Sequence, residues 1–372
     1  MKILHTADLH MDSAFCGSGE SYSHMRRERQ REILKKIFRL AGSQNCDMML
    51  IAGDFFDTSY VTPETKELCL SLFQGFEKPI IVSAGNHDPL VDGSFWKGAL
   101  PKNVYVFETP SLSYFEFPHM GVAVGGYSFT SAALNSNPLE VAPVRQRTWE
   151  RFIFLCAHAD VDSPTSRYAP ILSSDIRRLN FDYAALGHVH NTPDVTDAKI
   201  RYCGFAEGRS FDEIGDGGVL IVEASDDGIS VTRHIISEYK YLYEELDVSD
   251  MCTAEQITDA INNRLSQIDR SGMTFLRLEI CGVVTAESIP DLRALEGIER
   301  DGIRELQLID STLCLPDKSF LEKDTSLRGE FYRSLRSQLY SEDISLRRTA
   351  LRALRIGLAA IDGRDFTQGG TV

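Results

Sequence analysis

The sequence predicts an α/β fold, because strand-like and helix-like segments alternate along its N-terminal part. Lys2–Ala7, Met48–Ala52 and Pro79–Ser83 are short apolar segments of strand length. Between them, Arg26–Leu40 carries apolar residues at helical spacing, and Pro63–Phe76 begins with a proline, which favours the first turn of a helix. Alternation of this kind is typical of a largely parallel sheet with helices packed against it.

The pattern continues with further strands and then becomes rich in turns. Val122–Phe129, Phe152–Ala157 and Tyr183–Leu186 are predicted strands, and residues 200–237 are predicted to be β-rich, with glycines at their turns. This completes a first domain, which we place at residues 1–238.

The remainder of the chain predicts a small α+β domain followed by a helical tail. The predicted strands and helices of the small domain are Tyr243–Val248, Thr253–Ile268, Met273–Ile280, Ile289–Leu295 and Leu306–Leu313, in that order. Thr253 and Gln256 have the spacing of a capping box at the start of the first helix. We place this domain at residues 239–315, a linker at 316–323 and the tail at 324–362, with a turn at 341–343.

Composition and charge limit the class of protein. Of 372 residues, 43% are hydrophobic and 25% charged, as in ordinary globular proteins. The 39 basic and 54 acidic residues give a net charge of −15, which disfavours a protein that only coats nucleic acid. The sequence lacks a long apolar run and turns polar early, so we expect a cytoplasmic protein without a membrane span. The eight cysteines are scattered, which predicts reduced thiols that pack as small apolar side chains.

Four short motifs and one isolated histidine carry the chemistry. They are D-x-H at Asp8 and His10, G-D-x-x-D at Asp54 and Asp57, G-N-H-D with Asn86, His87 and Asp88, the isolated His158, and G-H-x-H at His188 and His190. G-N-H-D alone is expected by chance on the order of once in a thousand chains of this length. Each motif follows a predicted strand, and the carboxyl ends of strands in an open α/β sheet are where sites form.

The mixture of carboxylates, imidazoles and one amide oxygen predicts a metal site. This donor set suits Mn²⁺, Fe²⁺ or Zn²⁺ better than Mg²⁺ or Ca²⁺, which prefer oxygen ligands alone. The donors are too many for one tetrahedral ion. Two ions bridged by a carboxylate would use them all, and such a pair is the usual arrangement for hydrolysis of phosphoesters.

Together the motifs resemble those of the calcineurin-like metallophosphoesterase superfamily. Three segments are similar to the nuclease subunit of bacterial SbcCD repair complexes: Leu4–His10, Ala52–Thr58 and Ala84–Asp88. Three others more closely resemble the YhaO group of DNA repair exonucleases: Arg201–Gly204, Glu207–Arg209 and Gly217–Leu220. The resemblance covers roughly residues 1–237. It implies a four-layer α/β sandwich as nuclease domain, followed by a small capping domain and a helical tail.

The resemblance also implies a role for each residue of the motifs. One metal ion would be held by Asp8, His10, Asp54 and His190. The other would be held by Asp54, Asn86, His158 and His188, so that Asp54 bridges the two. His87 would contact the scissile phosphate and protonate the leaving oxygen, and Asp88 would orient it. Asp57 is a further catalytic candidate, although capping of local turns is the alternative for both Asp57 and Asp88.

Three features outside the motifs have two interpretations each. The basic residues of Arg26–Arg39 are either a solvated helix face, which we favour, or a DNA-facing stripe. Arg209 either approaches a phosphate or forms a structural ion pair. The amphipathic tail either packs on its own domain or docks into a partner. Asp12 stands where many SbcD-type chains have glycine, which leaves the substrate environment beside it undefined.

From these observations we expect a metal-dependent DNA exonuclease with two divalent ions, Mn²⁺ before Fe²⁺ or Zn²⁺. The resemblance implies DNA as substrate, an SbcC-like ATPase as partner and a homodimer. One alternative is a metallophosphatase acting on nucleotides, phosphoproteins or another small phosphoester, because fold and motifs do not fix the substrate. A second alternative is a vestigial binding subunit of an ATPase complex, against which the complete ligand set argues.

Overall fold

The computed structural model describes residues 1–15, 20–58, 60–191, 199–249, 251–268, 273–284, 288–314 and 322–361. Contacts within the chain divide it into two compact units, Met1–Lys240 and Tyr241–Val372. Most of the linker predicted at 316–323 lies outside the described residues. The three-part division into 1–238, 239–315 and 324–362 therefore stays a prediction.

The secondary structure follows the predicted alternation. The strands are β1 (Lys2–Thr6), β2 (Met48–Ile51), β3 (Ile80–Val82), β4 (Val104–Val106), β5 (Ser113–Phe117), β6 (Val122–Gly126), β7 (Phe152–His158), β8 (Asp160–Val161), β9 (Pro170–Ile171), β10 (Tyr183–Gly187), β11 (Ile200–Tyr202), β12 (Gly218–Ser225), β13 (Gly228–Ile235), β14 (Tyr239–Asp247), β15 (Met273–Val284) and β16 (Ile303–Cys314). The α-helices are α1 (Glu20–Ser43), α2 (Pro63–Phe76), α3 (Ser173–Arg178), α4 (Ala254–Ser266), α5 (Leu292–Glu296), α6 (Leu327–Leu339) and α7 (Ile344–Ile361).

Two sheets form the centre of the first unit. The first has the strand order β13-β12-β1-β2-β3-β4, in which β1 to β4 run parallel and β12 is antiparallel to β1. The second has the order β11-β10-β7-β6-β5, in which only β5 is antiparallel to its neighbour. The parallel strands of each sheet therefore end at a common edge.

Alternating side chains of β1 show how the layers are held together. Leu4 packs in the core that the first sheet forms with α1 and α2. Ile3 points the other way, into the core between the two sheets, where Phe154 of β7 also lies. On the far side of the second sheet, Leu155 packs in a third core with Ile176 of α3. Helices, sheet, sheet and helix thus form an α/β sandwich, which confirms the predicted fold class.

Helix α1 uses its basic residues differently from the prediction. It begins at Glu20 rather than Arg26, and the expected solvated face is wrong for two residues, since Arg26 is 1% and Arg31 8% exposed. The Arg26 guanidinium donates to the carbonyl of Gly208 at 2.7 Å and lies 4.6 Å from the centre of the Phe15 ring. Both side chains are therefore buried within the protein and do not form a surface that could contact the phosphates of DNA.

The second unit contains a small sheet and a helical hairpin. Strands β14, β15 and β16 form the sheet in that order, and β15 runs parallel to β16. The predicted capping box is present: Thr253 accepts from the Gln256 amide, and the Gln256 side chain accepts from the Thr253 amide. The tail forms two helices, α6 and α7, which pack through a core of their own that includes Tyr332 and Leu354.

The cysteines match the prediction only in part. Cys46, Cys69, Cys156 and Cys203 are buried free thiols, but Cys252 is exposed. Cys16 lies outside the described residues. Among the described helices, none combines the length and apolar character needed to cross a membrane.

Candidate metal centre

The motif residues lie where the parallel strands end. Asp8 follows β1, Asp54 follows β2 and Asn86 follows β3, while His158 ends β7 and His188 follows β10. The first three strands belong to one sheet and the last two to the other. The site is therefore built across the common edge of the sandwich, as the order of motifs predicts.

The backbone at this edge adopts conformations that side chains usually avoid. Asp8, His10, Asp54 and His188 have φ values of 51°, 45°, 46° and 105°, respectively. A left-handed conformation costs a non-glycine residue on the order of 1 kcal/mol or more, and it persists only when the surroundings impose it. Such strain concentrates at functional sites, which is consistent with a site at this edge.

Three overlapping groups of side chains bring metal-ligating atoms together. The groups are Asp8, His10 and His190; His10, Asp54 and His87; and Asp54, His158 and His188. Within each group the candidate atoms all lie within 4.8 Å of one another. Asp54 and His10 belong to two groups each, so the three form one continuous cluster.

The carboxylate of Asp54 lies at the middle of this cluster. Its Oδ2 is 3.2 Å from Nε2 of His158 and 3.9 Å from Nε2 of His10. Its Oδ1 accepts a hydrogen bond from the backbone amide of His87 at 2.9 Å. One oxygen thus faces both sides of the cluster while the other is fixed by the G-N-H-D loop.

On one side of Asp54, an amide and two imidazoles converge. The Asn86 Oδ1 lies 3.0 Å from Nε2 of His158, and the ring of His188 is 5.0 Å from that of His158. On the other side, Nε2 of His10 lies 3.2 Å from Nε2 of His190, and Nε2 of His190 lies 3.7 Å from Oδ1 of Asp8. Asp8 is itself held by the backbone amide of His188, 3.0 and 3.1 Å from its two oxygens.

The opposite nitrogens of three of these imidazoles are occupied by fixed acceptors. Nδ1 of His10 contacts Asp57 at 3.0 Å, Nδ1 of His158 contacts the Ala52 carbonyl at 3.0 Å, and Nδ1 of His190 contacts Glu213 at 2.8 Å. An acceptor beside Nδ1 keeps the ring proton on that nitrogen, which donates to it, and leaves Nε2 without a proton to bind a metal. Glu213 belongs to none of the four motifs, and no spacing rule in the sequence indicates it.

His87 is placed differently from the other histidines. Its side chain is 44% exposed, and its ring centre lies 4.7 Å from that of His10. Its Nδ1 lies 3.2 Å from the carbonyl of Asp57 and 3.6 Å from the Asp57 carboxylate. An exposed imidazole beside a buried cluster is suited to meet a substrate.

The resemblance implied that Asp88 orients His87, but the contacts of the Asp88 carboxylate lie elsewhere. Its buried carboxylate accepts from the amides of Gly85, Phe55 and Phe56 and from Nε1 of Trp96, at 2.8 to 3.3 Å. The Asp88 carboxylate therefore ties the G-N-H-D loop to the segment after Asp54. This corresponds to the alternative interpretation of Asp88, in which it caps local turns. The carboxylate that lies beside the His87 ring is that of Asp57.

Asp12 is also a structural residue. Its Oδ2 accepts from the backbone amide and the hydroxyl of Thr62, at 2.8 and 2.9 Å, and its Oδ1 accepts from the hydroxyl of Thr65 at 2.7 Å. Thr62 is the N-cap of α2. The carboxylate thus ties the loop after His10 to the start of a helix, where negative charge is favourable.

Two glycines allow the motif loops to approach one another. A β-carbon on Gly85 would overlap the carboxylate of Asp54, and one on Gly187 would overlap the carbonyl of Ala52. Only glycine permits these approaches, because every other residue has a side chain at that position.

Burial and the charges of neighbouring groups shift the pKa values of the side chains in the cluster. Burial raises the pKa of Asp8 to about 6, although neighbouring imidazoles oppose this. Burial would also raise the pKa of Asp54, but His158 and the other imidazoles lower it below its usual range. Burial would lower the pKa of His158, but Asp54 and Asp8 raise it to about 9. Burial lowers the pKa of His10 to about 4, which favours its neutral, ligating form.

The donor set fits divalent cations. Two buried carboxylates, four imidazoles and an amide oxygen converge from both sheets, and a mixed nitrogen and oxygen set suits first-row transition metals. An α/β sandwich with such a cluster at its strand ends is the arrangement expected of a metal-dependent phosphoester hydrolase.

The chain belongs to the calcineurin-like phosphoesterase family, whose sequence model matches residues 1–192. It is 24% identical over 286 residues to "Uncharacterized metallophosphoesterase YhaO" of Bacillus subtilis (strain 168). That alignment covers 73% of this chain and 69% of the relative. Membership confirms the predicted superfamily and implies divalent metal ions at the cluster.

Proposed function

We propose that this protein hydrolyses phosphodiester bonds of DNA with two divalent metal ions, and that it acts as an exonuclease. The main support for hydrolysis is the position of the Asp54 carboxylate, which faces imidazoles on both sides. The exposed ring of His87 lies beside the same cluster. This arrangement supports two ions and one proton donor at a single site.

The ligands of the two ions follow from the two sides of Asp54. Asp8, His10, Asp54 and His190 would hold one ion. Asp54, Asn86, His158 and His188 would hold the other. When bound, Mn²⁺ ions, which this donor set suits, lower the pKa of a water nucleophile and offset charge on the phosphate.

The chain's own groups supply the rest of the reaction. Asp57 and Ala52 hold His10 and His158 by their Nδ1 atoms, so that these rings keep one orientation. His87 protonates the departing oxygen from the solvent-facing side, as a general acid does. Asp57, whose carbonyl and carboxylate lie beside the His87 ring, keeps that ring directed toward the cluster.

DNA is the substrate that the rest of the chain favours. Residues 1–237 resemble DNA repair nucleases, and a second unit follows at Tyr241–Val372. A minimal phosphatase does not need such a unit. The net charge of −15 favours a small phosphoester instead, so the substrate class is the first point to test.

The test is digestion of end-labelled duplex DNA by the pure wild-type protein and the His87→Ala variant, with Mn²⁺ present. Degradation by the wild type that is lost in the variant is the expected result. Hydrolysis of a simple phosphate monoester without degradation of DNA would replace the nuclease by a phosphatase. Absence of both activities with two ions bound would contradict an independent enzyme and favour an enzyme that depends on its partner. A vestigial site would instead bind fewer than two Mn²⁺ ions.

We propose further that α6 and α7 dock onto an SbcC-like ATPase. The support is the pair of exposed apolar residues Leu346 and Ile356 on α7, together with the resemblance. Changing both to glutamate is expected to abolish co-purification with a co-expressed SbcC-like ATPase and to leave cleavage of DNA unchanged. Ile235→Glu, at an exposed apolar position of the first unit, is the matched control. Unchanged co-purification of the double variant would contradict this docking site.

The resemblance also supports a homodimer. Sedimentation velocity of the pure protein tests this directly, and a mass of one chain at micromolar concentration would contradict it.

A further inference from the structure

An ion pair between the buried Glu213 and the partly exposed Arg209 lies directly behind the candidate metal cluster. The side chain of Glu213 is 2% exposed, and its Oε1 lies 2.8 Å from Nδ1 of His190. Oε1 also accepts from Nε and Nη2 of Arg209 at 2.9 and 2.6 Å, and Oε2 accepts from the Arg209 amide at 2.7 Å. Glu213 is thus fixed by Arg209 while it contacts a candidate metal ligand.

Arg209 extends this contact to a second imidazole. Its Nη1 lies 3.3 Å from Oδ1 of Asp57, and that same oxygen lies 3.0 Å from Nδ1 of His10. The chain of contacts therefore runs from His190 through two carboxylates and one guanidinium to His10. The Nε2 atoms of these two imidazoles are only 3.2 Å apart on the other side.

If Glu213 and Arg209 served only to stabilise the fold, this would not explain why their contacts end at two candidate metal ligands, His190 and His10. Burying a charged group costs several kcal/mol, so the burial of the Glu213 carboxylate is weak support for stability as the purpose of the pair. Here both carboxylates reach the nitrogen of an imidazole that faces away from the cluster. Carboxylates in that position fix the tautomer and orientation of metal-binding histidines. Residues 209 and 213 also lie beyond the residues 1–192 that match the family.

We propose that Glu213 and Arg209 are positioning residues that hold His190, and through Asp57 also His10, in the orientation that binds the first metal ion. The proposal rests on the proposed function in so far as His10 and His190 bind a metal. It assigns to the segment after the last motif a part in completing the metal centre.

The test is a titration of the full-length protein with Mn²⁺, in which electron paramagnetic resonance measures the free ion. Wild type is expected to bind two ions. Glu213→Gln is expected to weaken one of them about 10- to 100-fold and to leave the other unchanged. Hydrolysis is expected to need correspondingly more Mn²⁺ but to reach the wild-type rate at saturation. Glu223→Gln is the matched control, because Glu223 forms an exposed ion pair with Lys2.

The possible failures are distinguishable. Two ions bound by Glu213→Gln with wild-type affinity would overturn the positioning role and leave the proposed function intact. Equal weakening of both ions would also overturn it, because general loss of structure acts on the whole site. Wild type that binds no Mn²⁺ would overturn the proposed function itself. If Glu213→Gln does not fold, Arg209→Lys is expected to weaken the same ion, since lysine cannot bridge both carboxylates.

Discussion

Asp54→Ala is expected to lose both metal ions and to lower hydrolysis about 10³-fold or more, since bound metals contribute several kcal/mol to such a reaction. The reason is that Asp54 is the carboxylate shared by both sides of the cluster, 3.2 Å from His158 and 3.9 Å from His10. Every other candidate ligand is assigned to one ion only. Loss of one of those ligands should therefore weaken one ion more than the other.

The measurement combines the Mn²⁺ titration with metal analysis of the purified variant. Asp92→Ala is the matched control, because the Asp92 carboxylate is fully exposed and pairs only with Lys97 among the described contacts. Asp54→Asn tests whether charge or shape matters, since it keeps the shape of the side chain but removes its negative charge and one of its two carboxylate oxygens. Circular dichroism of each variant confirms folding. Two ions bound by Asp54→Ala with wild-type affinity would contradict a bridging role.

The sequence predicts the place of the cluster because the rule that places it is local. Asp8, Asp54 and Asn86 each follow a short apolar strand, and parallel neighbouring strands end at the same edge. Residues 46 and 32 positions apart in the chain are therefore brought together by the sheet alone. His158 and His188 arrive at the same edge for the same reason, from the second sheet.

What the sequence does not predict are contacts that no spacing rule governs. The Asp88 carboxylate accepts hydrogen bonds from Phe55, Phe56 and Trp96 rather than contacting His87. These contacts depend on how the loops that carry the residues pack against one another. Glu213 reaches His190 from a segment with no recognisable motif. In both cases the partner is chosen by tertiary packing.

The fold shows the same limit at the level of helices. Both ends of helix α2 are predicted correctly, and Pro63 is the signal that marks its start. The burial of Arg26 is not predicted, because its position in a basic run indicates a solvated face. Arg26 is nevertheless enclosed between aromatic rings, such as those of Phe15 and Tyr239, which attract a guanidinium group.

His87→Ala is expected to keep both metal ions and to lower cleavage of DNA about 10²- to 10⁴-fold, the usual contribution of a general acid. Metal binding should survive because Asp54 is held by the backbone amide of His87, which alanine retains. The alternative is that His87 is a ligand, since its ring lies in one group with His10 and Asp54. Loss of an ion from His87→Ala would establish that alternative and contradict the proton-donor role.

Two substrates with different leaving groups distinguish whether His87 donates a proton or only contacts the phosphate. The p-nitrophenolate ion departs without a proton, so His87→Ala should hydrolyse bis-p-nitrophenyl phosphate nearly as fast as wild type. DNA, whose alkoxide needs a proton to depart, should show the full loss. Equal losses on both substrates would mean that the imidazole stabilises the phosphate rather than protonating the leaving oxygen. Its exposed position beside Asp57 favours proton donation, because solvent can return the proton after each turnover.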